Sequence, residues 1–479
     1  MPSLVIYKVL VLILLAAGSG STATVAYYYQ GKTSTLTSQV SNLNDQTSSQ
    51  ANQINSLKNQ IDNLTLQINQ LQSTENQLLV QITQLQQQLA NGGLCSSGRT
   101  LKIGELLDLS SVLATQGKRA RDSSTLAIND INTMLSTAGC NLRFTTSVDD
   151  YALNNQVALS ELISLSASGA QVVVGPLNSG AIQTILTYAD ANHIVLISPS
   201  STSATLAIPN DYLFRTIPDD SQQALADARI IVDNGAKGVI IVQRHDLYGD
   251  SVAGGISARF TALGGQVIAD LQYDFSTTDF TAVLNALQAD FNSNVAAYGA
   301  GHIAIYVVGF EELGQMLLQA KQYASFPWST LPWFSTDGIA LDSVIISGSS
   351  GPVAAQVKLL STNYASLNNT KTLAFYSRFD TAYPGEGCDE YCKGAYDDVW
   401  LAALAALQVG SYDGAKIQAI MPTVASNYYG VTGWTGLLPS GDRAPATYQI
   451  WEVVLQGSPP IPTWVLAGTW DSATDTITS

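Results

Sequence analysis

Charge is scarce in this chain: 12% of its 479 residues carry one, and basic residues are the rarer kind, with 21 Lys and Arg against 37 Asp and Glu. The formal net charge of -16 excludes a nucleic-acid partner, because phosphate binding needs a basic surface that releases counterions. Histidine is nearly absent, with three scattered residues, His193, His245 and His302, and cysteine is limited to four. That leaves no cluster with the spacing of a metal site. The Gly-x-Ser-x-Gly elbow and the phosphate-binding glycine loop are also missing. General acid–base chemistry would therefore fall to carboxylates that no motif singles out. The chain reads as non-catalytic, and no cofactor is expected.

Long apolar runs are represented by one at the N-terminus, Leu4 to Tyr29, interrupted by Lys8 and a small-residue patch at Gly18 to Thr22. Two readings fit residues 1–29. Its length suffices for a membrane span, with Tyr27, Tyr28 and Tyr29 suited to the outer interface. Val9 to Ala17 also has the length of a signal-peptide core. Both export the chain, so it is expected at the cell membrane with its bulk outside, or secreted after cleavage. Cysteine usage agrees with an oxidising compartment. Cys388 and Cys392 form a C-x-x-x-C pair read as a local disulfide, with Cys95 and Cys140 the candidate second pair and free buried thiols the alternative.

From 30 to 93 the sequence is rich in Gln, Asn, Ser and Thr, yet apolar residues recur at alternating spacings of three and four. Ile54, Ile61, Ile68 and Ile82 fall at heptad position a, and Leu57, Leu64, Leu71, Leu78 and Leu85 at d. That choice favours a parallel two-stranded coiled coil. Polar residues interrupt the seam at Thr47, Gln50 and Glu75 and would help fix register. Over its length the helix would reach roughly 80 Å, and self-association is the expected outcome, with a disordered Gln/Asn-rich linker as the competing reading. Asn63 heads a glycosylation sequon at an outward heptad position, and Asn368 heads another.

Asn91-Gly92-Gly93 ends the helix, and from Leu101 apolar strands alternate with amphipathic helices. Strands are predicted at 101–107, 142–148, 171–175, 194–198, 238–243, 266–272 and 303–308, with helices such as 117–136, 154–166 and 180–191 between them. Such alternation means α/β architecture with parallel sheets covered on both faces, and the length of the head implies two lobes. Two loops stand out. Val172-Val173-Val174-Gly175-Pro176-Leu177-Asn178-Ser179-Gly180 and Ile194-Val195-Leu196-Ile197-Ser198-Pro199-Ser200-Ser201-Thr202 are buried strands that stop in hydroxyl-rich turns before a helix. Ligands of open α/β sheets bind beyond the carboxyl ends of such strands, and hydroxyls with helix-start amides suit a carboxylate.

These loops, with Leu101-Lys102-Ile103-Gly104, Ala127-Ile128-Asn129-Asp130-Ile131-Asn132, Phe214-Arg215-Thr216, Tyr248-Gly249, Ala262-Leu263-Gly264-Gly265 and Asp337-Gly338 in order, resemble the type I periplasmic solute-binding proteins of the leucine/isoleucine/valine-binding kind, which feed ABC importers. The resemblance runs through 101–455. It implies two Rossmann-like lobes joined by a three-crossing hinge: 101–216 with about 360–428, and 218–358 with 431–479, within a head of 94–479. It also implies an ABC permease as partner and a small ligand, an amino acid of branched-chain type, in the cleft. Ser179 would grip the carboxylate, and Ser200 and Thr202 would add contacts to the charged ends. Asp337 would pair with the ammonium from the opposite lobe. Tyr248 matches a cleft aromatic, and Gln116 and Phe310 fall near the side-chain pocket. Two departures from the branched-chain pattern leave amides, urea and small carboxylates open as ligands, namely Asp at 337 in place of Glu and Ser at 200 in place of a small apolar residue.

Overall fold

The computed structural model describes residues 30, 32–50, 53–54, 57–58, 61, 93–96, 98–323, 326–366, 369–444 and 447–478. In the head, the first sheet takes its strands from β1 (Thr100–Leu107), β2 (Arg143–Asp150), β3 (Val172–Val174), β4 (Val195–Ser198) and β5 (Leu213–Arg215), in the order β2-β1-β3-β4-β5, all parallel. Both β3 and β4 are wholly buried. Their unbroken apolar character is what helices on both faces demand. Between the strands run α1 (Ala114–Thr137), α2 (Asn155–Ala167) and α3 (Ser179–Asn192). Asn154 caps α2 by accepting the N–H groups of Gln156 and Val157.

The start of α1 is organised differently. The buried Asp108 carboxylate accepts the N–H groups of Ser110, Ser111 and Leu113, which folds the strand end back into the helix. A side chain at Gly117 would place its Cβ 1.7 Å from the Asp108 carbonyl oxygen. Glycine there lets α1 press against the turn, and this fixes Leu113 and Gln116 at the strand ends.

The second sheet holds β6 (Gly238–Arg244), β7 (Gln266–Tyr273), β8 (Ile303–Val308), β9 (Trp333–Ser335) and β10 (Leu360–Ala365), followed after an excursion by β13 (Thr447–Gln456), β14 (Ile461–Asp471) and β15 (Thr476–Thr478). Its order is β15-β14-β13-β10-β9-β8-β6-β7, parallel from β7 to β10 and antiparallel beyond. Its helices begin with α4 (Asp220–Asp233) and α5 (Leu247–Ala262), continue with α6 (Thr281–Tyr298) and α7 (Glu312–Ala320), and end with the short α8 (Ser343–Ile346) and α9 (Ser350–Gln356). In the excursion, α10 (Thr370–Ala382), α11 (Glu390–Val409), α12 (Gly414–Asn427) and the small ribbon β11 (Tyr429–Gly430) with β12 (Gly433–Trp434) pack with the first lobe.

The lobe boundaries differ from those expected. Residues 360–365, expected in lobe one, form β10 at the heart of the second sheet. Residues 431–443, expected in lobe two, stay with lobe one. Arg215 Nε lies 2.5 Å from Asp442 Oδ1, Arg215 N–H donates to the Gly441 carbonyl, and Arg443 donates to the carbonyl of Thr216. Two buried guanidinium groups need fixed partners, and supplying them pins this loop to the end of β5. The chain thus passes between the sheets after β5, after β10 and before β13.

Both expected cysteine pairs are bridged, Cys95–Cys140 and Cys388–Cys392. The first ties the start of the head to the end of α1. Residues 32–50 are helical and exposed, and on them Leu36, Val40 and Leu43 are more than half exposed, as are Ile54 and Leu57 further on. Among the described residues no helix is long and apolar enough to cross a membrane. The segment 1–29 expected to do so, most of the stalk beyond 61, and both sequon asparagines, Asn63 and Asn368, lie outside the described residues.

Candidate functional site

The carboxyl ends of β3 and β4 feed two loops that are sewn together by serine hydroxyls. Ser198 Oγ donates to the Pro176 carbonyl (2.7 Å) and Ser200 Oγ to the Leu177 carbonyl (2.8 Å). Ser179, the first residue of α3, accepts at its Oγ the N–H groups of Thr202 (3.3 Å) and Ser203 (3.1 Å). A hydroxyl that accepts twice still has its own proton to give. Ser179 is therefore a donor at a helix start, where the backbone amides also point outward. Ser200 has its proton committed to the loop.

Opposite them stands the second lobe. Asp337 follows β9, and Tyr248 lies in the first turn of α5. Tyr248 Oη donates to Asp337 Oδ1 at 2.7 Å and meets Thr336 Oγ1 at 2.6 Å. The other carboxylate oxygen of Asp337 accepts from Tyr391, which reaches across from α11 in lobe one. A Cβ at Gly338 would lie 2.5 Å from the Gly309 carbonyl oxygen and 2.9 Å from the Phe310 ring, so only glycine lets the Asp337 turn sit this close. Phe310 stacks on Tyr248 with ring centres 5.3 Å apart, and the Arg244 guanidinium lies over the Phe310 ring, 3.9 Å from its centre. Arg244 is itself held by Asp246 (2.6 Å) and Glu312 (2.9 Å).

Between the two lobes lies a cleft of about 290 Å³, counting the part open to solvent. That is the small end of small-molecule sites. Ser179, Ser200, Tyr248, Asp337, Gln116 and Phe310 all line it. Thr202 does not. It is buried one step back and reaches the site only through its N–H bond to Ser179. Sequence reasoning missed Leu113, Leu177, Asn178 and Tyr391 on the cleft wall. Asn178 stands beside Ser179 in a loop already singled out, but nothing local to Tyr391 shows that the start of α11 faces the other lobe. Leu113 and Leu177 pack in one buried apolar cluster with Tyr248 and Phe310, so the two lobes are closed on each other here.

Burial pushes the Asp337 carboxyl above its ordinary range, and the hydroxyl bonds from Tyr391 and Tyr248 pull the other way. Burial likewise drives the hydroxyls of Tyr248 and Tyr391 well above the usual tyrosine range, so both stay protonated and donating. Among the described residues that line the cleft there is no Lys, Arg or His, and Asp337 is the one carboxyl. The site therefore offers donors on one lobe and a single acidic acceptor on the other. Among the described residues no cluster of His, Cys, Asp and Glu could hold a metal ion.

Residues 100–458 match the periplasmic binding protein family. An uncharacterized protein of Methanocaldococcus jannaschii is 27% identical over 400 residues, covering 80% of this chain and 92% of its own. The chemotactic signal transduction system substrate-binding protein BasB of Halobacterium salinarum is 29% identical over 334 residues, 66% of this chain and 72% of BasB. Among solved structures, the branched-chain amino acid transporter substrate-binding protein LivJ of Streptococcus pneumoniae, in complex with isoleucine, shares the fold with a TM-score of 0.61 at 23% identity, covering 77% of this chain and all of LivJ. With the family match running from β1 into the turn after β13, this chain belongs to the periplasmic binding protein family.

Proposed function

We propose that this protein captures an α-amino acid outside the membrane and presents it, between closed lobes, to an ABC importer. What supports the reading most is the opposition within one cleft: the Ser179 hydroxyl and the α3 amides on one lobe, the buried Asp337 carboxyl on the other. A zwitterion shut in by lobe closure loses its water, so each charged end needs a fixed partner. Its carboxylate goes to Ser179 and the helix start, its ammonium to Asp337, which Tyr248 and Tyr391 orient. An ammonium there also offsets the burial that raises the Asp337 carboxyl. Ser200 and Thr202 hold the Ser179 loop, and Phe310 and Gln116 bound the side chain. Because the partners sit on different lobes, ligand and closure are coupled.

The amino-acid assignment also draws on the isoleucine complex of LivJ. The likeness to BasB favours a second use of the same closed form, substrate binding for a chemotactic signal transduction system. Residues 1–29 serve as the anchor, and residues 30–93 pair two copies through the exposed apolar stripe.

Calorimetric titration of the full chain with the proteinogenic amino acids tests this reading. At least one should bind, and Asp337→Ala should weaken that binding by ~100-fold or more, since an unpaired buried charge costs about 3–5 kcal/mol. Unchanged affinity in Asp337→Ala would remove this carboxyl from the site.

A further inference from the structure

Two side chains on the cleft wall have hydrogen-bonding groups without a purpose inside the protein. Gln116, in the first turn of α1, is 8% exposed and lines the cleft. Its carboxamide makes no hydrogen bond to any described residue. Asn178 is 7% exposed and stands at the N-cap of α3, yet makes no capping bond. One end of its carboxamide is held by the hydroxyl of the fully buried Tyr151 at 2.7 Å, and the other end is uncommitted. An asparagine at an N-cap ordinarily turns back to the helix amides. Here Tyr151 holds it away from them, on the wall of the cleft.

We infer that the cleft selects an amino acid whose side chain carries a neutral hydrogen-bonding group, a hydroxyl or a carboxamide, and that Gln116 and Asn178 read it. The inference rests on the amino-acid reading of the cleft and replaces the branched aliphatic side chain expected from the resemblance. Neutrality follows from the lining: with no cation there and Asp337 assigned to the ammonium, a charged side chain would be buried without a partner. Polarity follows from the two carboxamides. An aliphatic side chain would strip water from both and return no hydrogen bond, whereas a hydroxyl or amide completes them. Sites that hydrogen-bond a ligand group discriminate strongly against analogues lacking it, because the protein's own polar groups are then left unpaired. Leu113 and Leu177 beside them, and Phe310 from the opposite lobe, limit the side chain to a short apolar stem below its polar end.

Isosteric pairs isolate the polar group from size. We would titrate the full chain with threonine and valine, asparagine and leucine, glutamine and methionine, and repeat the series on Gln116→Met, which keeps length and removes the amide. The expected result is a polar member binding about tenfold or more tighter than its isostere, with the gap narrowed severalfold in Gln116→Met. Apolar members that match or exceed their polar isosteres overturn the inference and leave the amino-acid reading standing. A polar preference that survives Gln116→Met unchanged overturns the role given to Gln116. If none of the proteinogenic amino acids binds, the amino-acid reading itself fails, and this inference with it. A thermal scan of the ligand-free variant distinguishes lost affinity from lost fold.

Discussion

Glu105 occupies the middle of β1, fully buried, and among the described residues it has no ion pair. Burial pushes its carboxyl from the ordinary 4.5 up to about 8, against weaker opposition from the Thr146 hydroxyl and Arg121. The folded state thus holds this proton more tightly than the unfolded chain does. Its contribution to stability is complete below about pH 4.5 and is lost as the pH rises through about 8. Asp227, in α4 beneath the second sheet, behaves alike, with burial raising it to about 8. We expect the unfolding midpoint of the parent to fall between pH 5 and pH 8, and Glu105→Gln to flatten that fall. The variant should gain on the order of 4 kcal/mol at pH 8 and little at pH 4, as read by thermal unfolding across pH. An identical pH dependence in parent and variant would show that Glu105 does not titrate in that range. None of this was legible in the sequence, where Glu105 is one acidic residue in an apolar strand. Its proton affinity comes from the helices that cover the sheet.

At the scale of elements, local pattern carried far for the first part of the head. The predicted strands at 101–107, 142–148 and 238–243 match β1, β2 and β6 to within about two residues, because apolar runs bounded by turn residues are local facts. Strand β10 carries Ser361, Thr362 and Asn363, all buried. Its polar composition hid its place in the middle of a sheet. The start of α11 was visible only as a cysteine spacing. Yet the Cys388–Cys392 bridge encloses Asp389, which caps the helix by accepting the Cys392 N–H, and Tyr391, which bonds Asp337 across the cleft. A loop this short constrains the unfolded chain by only about 2 kcal/mol, and the bridge lies one residue from Tyr391. Replacing both cysteines by serine should lower ligand affinity about three- to tenfold while moving the thermal midpoint by only a few degrees. The Cys95–Cys140 bridge closes 45 residues, and its loss should cost about 4 kcal/mol by loop entropy. Differential scanning calorimetry and titration on the two double variants separate these effects.

For the whole molecule, the head and the stalk pose different problems. In the stalk, Leu36, Val40, Leu43, Ile54 and Leu57 stand more than half exposed on helical residues at a 3.5-residue period. In the proposed pairing a second helix would cover this seam. Few charges flank it, and the polar seam residues Thr47 and Gln50 meet their own counterparts only in a parallel, in-register pair. The 30–479 fragment should therefore sediment as a dimer at micromolar concentration, and a Leu43→Glu, Ile54→Glu double variant as a monomer. A parent fragment that stays monomeric at high micromolar concentration would sink the pairing.

By itself the sequence determined the α/β character of the head, the hydroxyl-rich loops after β3 and β4 and the periodicity of the stalk, since each is written in the order of neighbouring residues; it offered the cysteine pairs as candidates, and the structure bridges them. Six of the seven residues expected in the site do line one cleft. Only the tertiary structure decided that β10 belongs to the second sheet, that 431–443 returns to the first lobe, and that Tyr391 meets Asp337. Those outcomes depend on which distant groups satisfy a buried strand edge, the guanidinium groups of Arg215 and Arg443, or the carboxyl of Asp337. The choice among distant partners is made by packing and desolvation, which act through space and leave little trace in local order.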